Sequence, residues 1–331
     1  MSAIGILGVG CVSPLGTDWP AVWAGLSSGR CPEAVMLPGL AGHTPLPAYR
    51  VPGPFEFRHP RLRRASAISH FACAAASAAV AGAGPLPPGR SALVFAASDG
   101  SLIYTRKFYE EVVKSGSGSP LLFPETVYNA PASHLAAVLG VDGSVLTMVG
   151  DETAGLDAFA TALDLIRSGD ADQCLVVASQ EVDWIACDGY RRWGLASSGD
   201  APVLSEGSVA MVLGAAQPGD VLIGKIDSGS RASASGCSRL EKVSRNLAGE
   251  FPPDLLIPSS VLPEKSGGSA FPGVRVFAPK SLAGEAFAVS TLLQIACARQ
   301  EILDGRARNV LVPVAGWNGF AGGVVLAASV P

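Results

Sequence analysis

The chain reads as a layered α/β protein in which one architectural unit occurs twice. Three observations predict this. The strand-like runs are Val-rich and lack polar alternation, as in SALVFAAS, CLVVASQEV and LSEGSVAMVLG, and such strands are covered on both faces. Two helical stretches, 153–167 and Leu282–Ile302, are apolar or Ala-rich nearly all round, and a helix without a polar face lies inside a protein. The opening apolar strand Ile4–Val12 is echoed after Asp220 by VLIGKIDSGSR. Together they predict two sheets sandwiching a helical layer, with further helices outside. The halves would span 1–215 and 220–331 and form one unit.

The elements follow in order. IGILGVGCV closes in an SPLG turn and leads to a helical pattern on Trp19, Val22, Trp23 and Leu26. Residues 31–60 carry many Pro and Gly without clear periodicity and read as a surface excursion. An Ala-rich helix spans about Ala65–Ala81, a strand 91–98, and a helix with alternating aromatic and charged residues Tyr104–Val113. LFPETVYNAPASHLAAVLG starts irregularly and ends as a helix stopped by Gly140. Thr147–Asp172 is a strand, a turn through Gly150 and Asp151, and a helix ending at Gly169. After strand 174–182 comes a loop with Trp184, Tyr190 and Trp193. In the second half 231–252 has no clear pattern, 254–260 is a strand with a turn, and 261–275 is a loop. The Leu282–Ile302 helix and strands NVLVPVAGWN and GGVVLAAS complete it.

Composition narrows the function classes. With 331 residues, 48% hydrophobic and 16% charged, the chain buries a large core and has little polar surface, so a partner is expected to cover part of it. A net charge of -4 argues against nucleic acid. The basic cluster Arg58, His59, Arg61, Arg63 and Arg64 reads as a solvated face ahead of a docking patch for an acidic carrier protein. The seven cysteines have no paired spacing and read as reduced core residues. Cys237, in SGCSR, has no histidine motif beside it and is a poor nucleophile candidate. No secretory signal is evident, and the run Ala65–Gly84 reads as a buried helix of a cytoplasmic protein. No P-loop, dinucleotide fingerprint or metal-ligand cluster implies a cofactor.

The strand-turn-helix at 147–167 is a place for chemistry. A helix N-terminus stabilises an anion through its free N–H groups and dipole, and a cysteine at position 152 would be a reactive thiolate. The sequence supplies Glu152.

Six segments in order resemble the β-ketoacyl synthase family of the thiolase fold. They are GILGVGCVSPLGTDWPAVWAGLSSGR, FPETVYNAPASHLAAVLG, DLIRSGDADQCLVVASQEV, LSEGSVAMVLG, APKSLAGEAFAVSTLLQIACA and GWNGFAGGVVL. The resemblance covers nearly the whole chain, which is shorter than usual around 31–60 and 215–275. It implies a five-layer αβαβα fold of two similar halves.

Active members use a cysteine and two histidines. Through the resemblance, Gly155 sets the register that puts Glu152 at the cysteine position. Lys280, Ser281 and Gly284 put Glu285 at the second histidine, and the first falls near Ser259. Condensation needs a thiolate and imidazole donors, and glutamate at a helix start offers only acceptors when ionised. No catalytic residue is therefore expected.

The pattern is similar to the chain length factors of type II polyketide synthases, more those of highly reducing, polyene-forming systems than aromatic ones. These lack the cysteine, pair with a cysteine-bearing ketosynthase that receives its chain from an acyl carrier protein, and shape the acyl tunnel. They commonly carry glutamine at that position, and Glu152 departs from this. By resemblance, tunnel depth would be set by Ser101, Leu102, Phe108, Leu122, Phe123 and Met148, with Trp317 at a gate; ordinary core packing explains each equally well. A closed apolar tunnel rejects extra methylenes at about 0.8 kcal/mol each. Two alternatives remain: a decarboxylase or hydrolase of acyl thioesters using Glu152 and Glu285, bridged by Lys280, and a homodimeric acyl-binding scaffold.

Overall fold

Strands and helices alternate along the chain because apolar runs of five to nine residues are separated by Gly, Pro and Asp turns. The computed structural model describes residues 3–39, 44–193, 202–231, 236–249, 252–259 and 271–329. The first half holds β1 (Ile4–Val12), α1 (Trp19–Ser27), β2 (Ala34–Leu37), β3 (Leu46–Tyr49), α2 (Ala67–Ala83), β4 (Ser91–Ala97) and α3 (Leu102–Ser115). It continues with α4 (Ala130–Leu139), β5 (Val145–Val149), α5 (Glu152–Arg167), β6 (Gln173–Gln180), α6 (Trp184–Arg192), β7 (Leu204–Ser205) and β8 (Gly207–Ala215). The second half holds β9 (Val221–Arg231), α7 (Gly236–Ala248), β10 (Leu255–Leu256), β11 (Arg275–Val276), α8 (Pro279–Ala283), α9 (Ala288–Leu303), β12 (Asn309–Ala315) and β13 (Phe320–Ala328).

Ten strands run in the order β11-β10-β12-β13-β9-β1-β8-β6-β4-β5. The two sheets expected from the sequence are thus joined, through the pairing of Gly5 with Leu222. Helices α5 and α9 pack on one another and on strands of both halves, including β4, β6, β12 and β13. They form the central layer. Helix α2 covers β1, β8 and β6 from outside, and α7 covers β13, β12 and β9. The α/β class is as expected, and the large sheet with its buried helices matches the thiolase-like arrangement.

Close approach of the central helices requires a small residue at one point. A Cβ on Gly155 would lie 2.4 Å from the carbonyl oxygen of Ala288. That approach brings the N-terminus of α5 against that of α9, where the Thr291 hydroxyl donates to the Glu152 carbonyl at 2.7 Å.

Several elements differ from expectation. The excursion 31–60 contains β2 and β3, which pair with each other and, through β3, with β7 in a separate three-stranded sheet. These strands are four residues each, and β3 contains Pro47, so they show no period. The 184–193 loop is mostly the helix α6, capped by Asp183. Part of the patternless 231–252 is α7. The long helix from Leu282 is broken into α8 and α9, because Gly284 adopts φ +83° and residue 285 pairs with the β7 region. The loop 261–275 lies largely outside the described residues. Cys31 is exposed rather than a core residue, whereas Cys11, Cys73, Cys174, Cys187 and Cys297 are buried. Cys237 stands in the first turn of α7, and its side chain lies outside the description. Among the described residues no helix is long and apolar enough to cross a membrane.

Candidate functional site

Strands β4, β5 and β6 are parallel neighbours, so their carboxyl ends open on the same side. In α/β sheets this is where ligands bind. Here β5 turns through Gly150 and Asp151 into α5. Asp151 caps the helix by accepting from the Thr153 amide at 3.0 Å and its hydroxyl at 2.8 Å. Its other oxygen accepts from the Asn318 amide at 2.8 Å and so holds the β12–β13 turn against the helix start. A Cβ on Gly316 would lie 2.4 Å from this carboxylate, so a larger residue there would displace the cap.

Glu152 is the first residue of α5 and is 2% exposed. One carboxylate oxygen accepts from Lys280 Nζ at 3.2 Å, and the other, Oε2, has no partner among the described residues. Lys280, 4% exposed, projects from the short α8 and also pairs with Glu285, which is 1% exposed. Glu285 Oε1 accepts from the Phe287 amide at 2.7 Å and from the Ser290 hydroxyl at 3.0 Å. Three buried ionisable side chains therefore meet where α5, α8 and α9 begin.

Fully ionised, the cluster carries one net negative charge. Burial pushes the Glu152 carboxyl up to about 8; Lys280 opposes this and Glu285 adds to it. Burial pulls the Lys280 ammonium down, but Glu285 and Glu152 outweigh it and the net shift is upward. A proton held on Glu152 makes the cluster neutral, which is the cheaper state in a dry site. The helix dipole favours an anion at this position by about 0.3–1 kcal/mol. The penalty for burying a second carboxylate is larger, so burial decides.

An aromatic cluster stands next to the ion cluster. Phe287 has φ +52°, the one positive value at a non-glycine residue among those described, and such a conformation costs an L-residue about 1–2 kcal/mol. The Glu285 side chain holds its amide, and its ring stacks on Tyr190 at 5.0 Å and meets Trp317 edge-on at 5.3 Å. Tyr190 and Trp317 are also in edge contact at 5.0 Å.

The structure thus brings Glu152, Lys280 and Glu285 together, with Trp317 on the adjoining aromatic cluster. Ser259 is placed apart from the ion cluster in hydrogen bonding, accepting from the Ala315 amide at 3.1 Å. The residues named for a tunnel stand at the start of and along α3, at the 3₁₀ turn that follows it and on β5. Ser101 is the buried N-cap of α3, and Leu102 lines a groove against α6. Phe108 packs on Phe123 at 5.7 Å, and Leu122 precedes Phe123 at a 3₁₀ turn, Phe123–Glu125. Met148 packs against the main core from β5. The arginines of the basic cluster, at 58, 61, 63 and 64, are all exposed around the 3₁₀ turn Pro60–Leu62.

Sequence reasoning named Asp151 only as a turn residue and missed Ser290 and the Tyr190–Phe287 stack. The first carried a signal, an Asp two residues before a Thr at a helix start. The others are contacts between distant segments and have no local signature.

The profile of the β-ketoacyl synthase N-terminal domain matches residues 1–217. The chain belongs to the β-ketoacyl synthase family. Among solved structures, the ishigamide ketosynthase/chain length factor has 19% identity and a TM-score of 0.82, over 98% of this chain and 99% of that one. A β-ketoacyl synthase from Burkholderia phymatum has 15% identity and a TM-score of 0.83, over the full length of both. A ketosynthase in complex with its chain length factor from Xenorhabdus doucetiae has 13% identity and a TM-score of 0.81, over 99% and 98%. No curated protein matches the chain. Within the β-ketoacyl synthase family, then, this member has a buried carboxylate at the start of α5, paired to a lysine.

Proposed function

We propose that this chain is a non-catalytic, ketosynthase-like subunit, a chain length factor. It pairs with a cysteine-bearing ketosynthase that an acyl carrier protein supplies, and it shapes the tunnel for the growing acyl chain. The observation that carries the reading is the Glu152–Lys280–Glu285 cluster. It offers no thiolate to take an acyl group and no imidazole to stabilise an enolate. Its hydrogen bonds hold α5, α8 and α9 together, which is a structural role.

Surface features support a partner. Helix α3 has no buried residue, and Tyr109 and Val113 on it are exposed. Among the described residues β5 ends the strand order with one edge unpaired, and its Val145, Leu146 and Val149 are exposed as well. An uncovered apolar edge of this kind invites pairing with another chain. The neighbours named as ketosynthase with chain length factor, and one named as a type II ketosynthase complex with its acyl carrier protein, suggest the kind of assembly.

Co-expression with a cysteine-bearing ketosynthase tests this. A stable heterodimer is expected, with product length that changes when Leu102 or Phe108 is resized. A well-behaved homodimer by native mass measurement, indifferent to such a partner, would favour the scaffold reading. The unpartnered Glu152 oxygen and its raised pKa favour acid–base chemistry as a second reading. Unchanged product formation by the complex after Glu152→Ala would remove it.

A further inference from the structure

Helix α3 raises a physical question, because none of its residues is fully buried, so packing holds it only in part. Its own N-cap does not hold it either. Ser101 makes no side-chain capping bond, and its hydroxyl has no partner among the described residues. The same is true of the cap of α2, where Ser66 makes no capping bond to its own helix.

One carboxylate serves both helices. Glu181, at the end of β6 and fully buried, accepts from the Ile103 amide of α3 at 2.7 Å through Oε1. Through Oε2 it accepts from the Ile68 amide of α2 at 3.0 Å, and the Ser66 hydroxyl donates between the two oxygens at 2.9 and 2.6 Å. Two residues on, Asp183 accepts from Arg106 of α3 in a two-pronged contact, 2.9 Å to Nε and 3.0 Å to Nη2. Asp183 also caps α6 by accepting from the Ile185 amide at 3.2 Å. Bonds to ionised acceptors are about twice as strong as neutral ones, and a two-pronged guanidinium contact fixes orientation.

We propose that Glu181 and Asp183 form a polar clamp that positions α3, and with it the exposed groove between α3 and α6. The groove, about 420 Å³ in volume, has Leu102, Thr105, Tyr109 and Val113 on one side and Trp184 and Ile185 on the other. Asp183 holds both walls, so it sets their separation. The role of this groove at a pairing surface rests on the function proposed above; the clamp itself does not.

Hydrogen–deuterium exchange on the full chain tests the clamp. In Glu181→Gln one side-chain N–H replaces an acceptor that faces a backbone N–H, so one of the two helix caps is lost. In Asp183→Asn the ion pair to Arg106 is lost and the core is untouched. Asp183→Asn is expected to exchange about tenfold faster over 102–115, and Glu181→Gln about tenfold faster at the start of α2 or of α3, whichever amide the new N–H faces, with β6 and β8 unchanged in both. Unchanged exchange over 102–115 in Asp183→Asn, unchanged exchange at both helix starts in Glu181→Gln, or equal acceleration throughout the chain would overturn the proposal. If Glu181→Gln fails to fold, Asp183→Asn alone decides, because a slow α3 in that variant refutes the clamp. Co-expressing each variant with a cysteine-bearing ketosynthase separates the two ideas. Faster α3 exchange with unaltered pairing and product length would keep the clamp and remove α3 from the pairing surface.

Discussion

Replacing Lys280 with methionine removes the cation between two buried carboxylates. Lys280 and both partners are at most 4% exposed, so solvent cannot compensate. Removing one partner of a buried ion cluster costs about 3–5 kcal/mol, because the other charges stay buried. For 331 residues, an unfolding entropy of about 2.1 cal/mol/K per residue converts this to a fall in melting temperature of about 4–7 °C. Because Glu152 holds its proton at pH 7, the charge left without a partner is that of Glu285, and adding Glu285→Gln to Lys280→Met removes it. The side-chain amide oxygen can still accept from the Phe287 amide and the Ser290 hydroxyl. The double variant is expected to recover at least half of the loss, about 1.5–2.5 kcal/mol. Calorimetry on the single and double variants at pH 7 measures it. A Lys280→Met protein that melts within about 1 °C of the parent, or a double variant no more stable than the single, would refute the account.

Four shorter predictions follow from the same geometry. The folded-state pKa of Glu152, about 8, lies above its ordinary 4.5. The stability it contributes is therefore fully present below pH 4.5 and is lost as pH rises through 8. Glu152→Gln should flatten that decline, and unfolding curves with the parent's slope would contradict it. Gly155→Val places a side chain 2.4 Å from the Ala288 carbonyl oxygen and should lower stability by about 1–3 kcal/mol or more, read by chemical denaturation. Glu152→Cys restores a nucleophile without histidine partners, and carrier-bound malonyl assays should detect no condensation; robust turnover would sink the non-catalytic reading. Leu146→Lys on the free edge of β5 should weaken co-purification with a ketosynthase partner at least about tenfold by blunting that edge. Unchanged recovery would exclude the edge from the interface.

Patterning carried much of the fold. Strands β4, β6 and β8 are largely apolar without alternation, and α5 and α9 are apolar or Ala-rich nearly all round, so a helix layer buried between strands was readable from patterning. The break between α8 and α9 was not. Residues 282–302 are apolar on both sides of Gly284, and only the pairing of residue 285 with the β7 region interrupts them. Strands β2 and β3 were hidden for the opposite reason: a run of four residues, one of them with Pro47, carries no detectable period. In the site, spacing located Glu152, Lys280 and Glu285, whereas Asp151, Ser290 and the Tyr190–Phe287–Trp317 cluster owe their roles to contacts with distant segments.

The sequence by itself determined that a carboxylate stands where a strand turns into a buried helix, that a lysine and a second glutamate begin another, and that no histidine motif accompanies them. Local order and residue type were enough, since helix starts and apolar periods are properties of neighbouring residues. Only the tertiary structure decided that these three charges meet in a dry site and that Glu152 holds its proton to about pH 8. It also brought Glu181 and Asp183 against a helix that packing covers only in part. Each depends on burial and on contacts between distant segments, 128 residues apart for Glu152 and Lys280 and 77 for Arg106 and Asp183, and the chain acquires these only on folding.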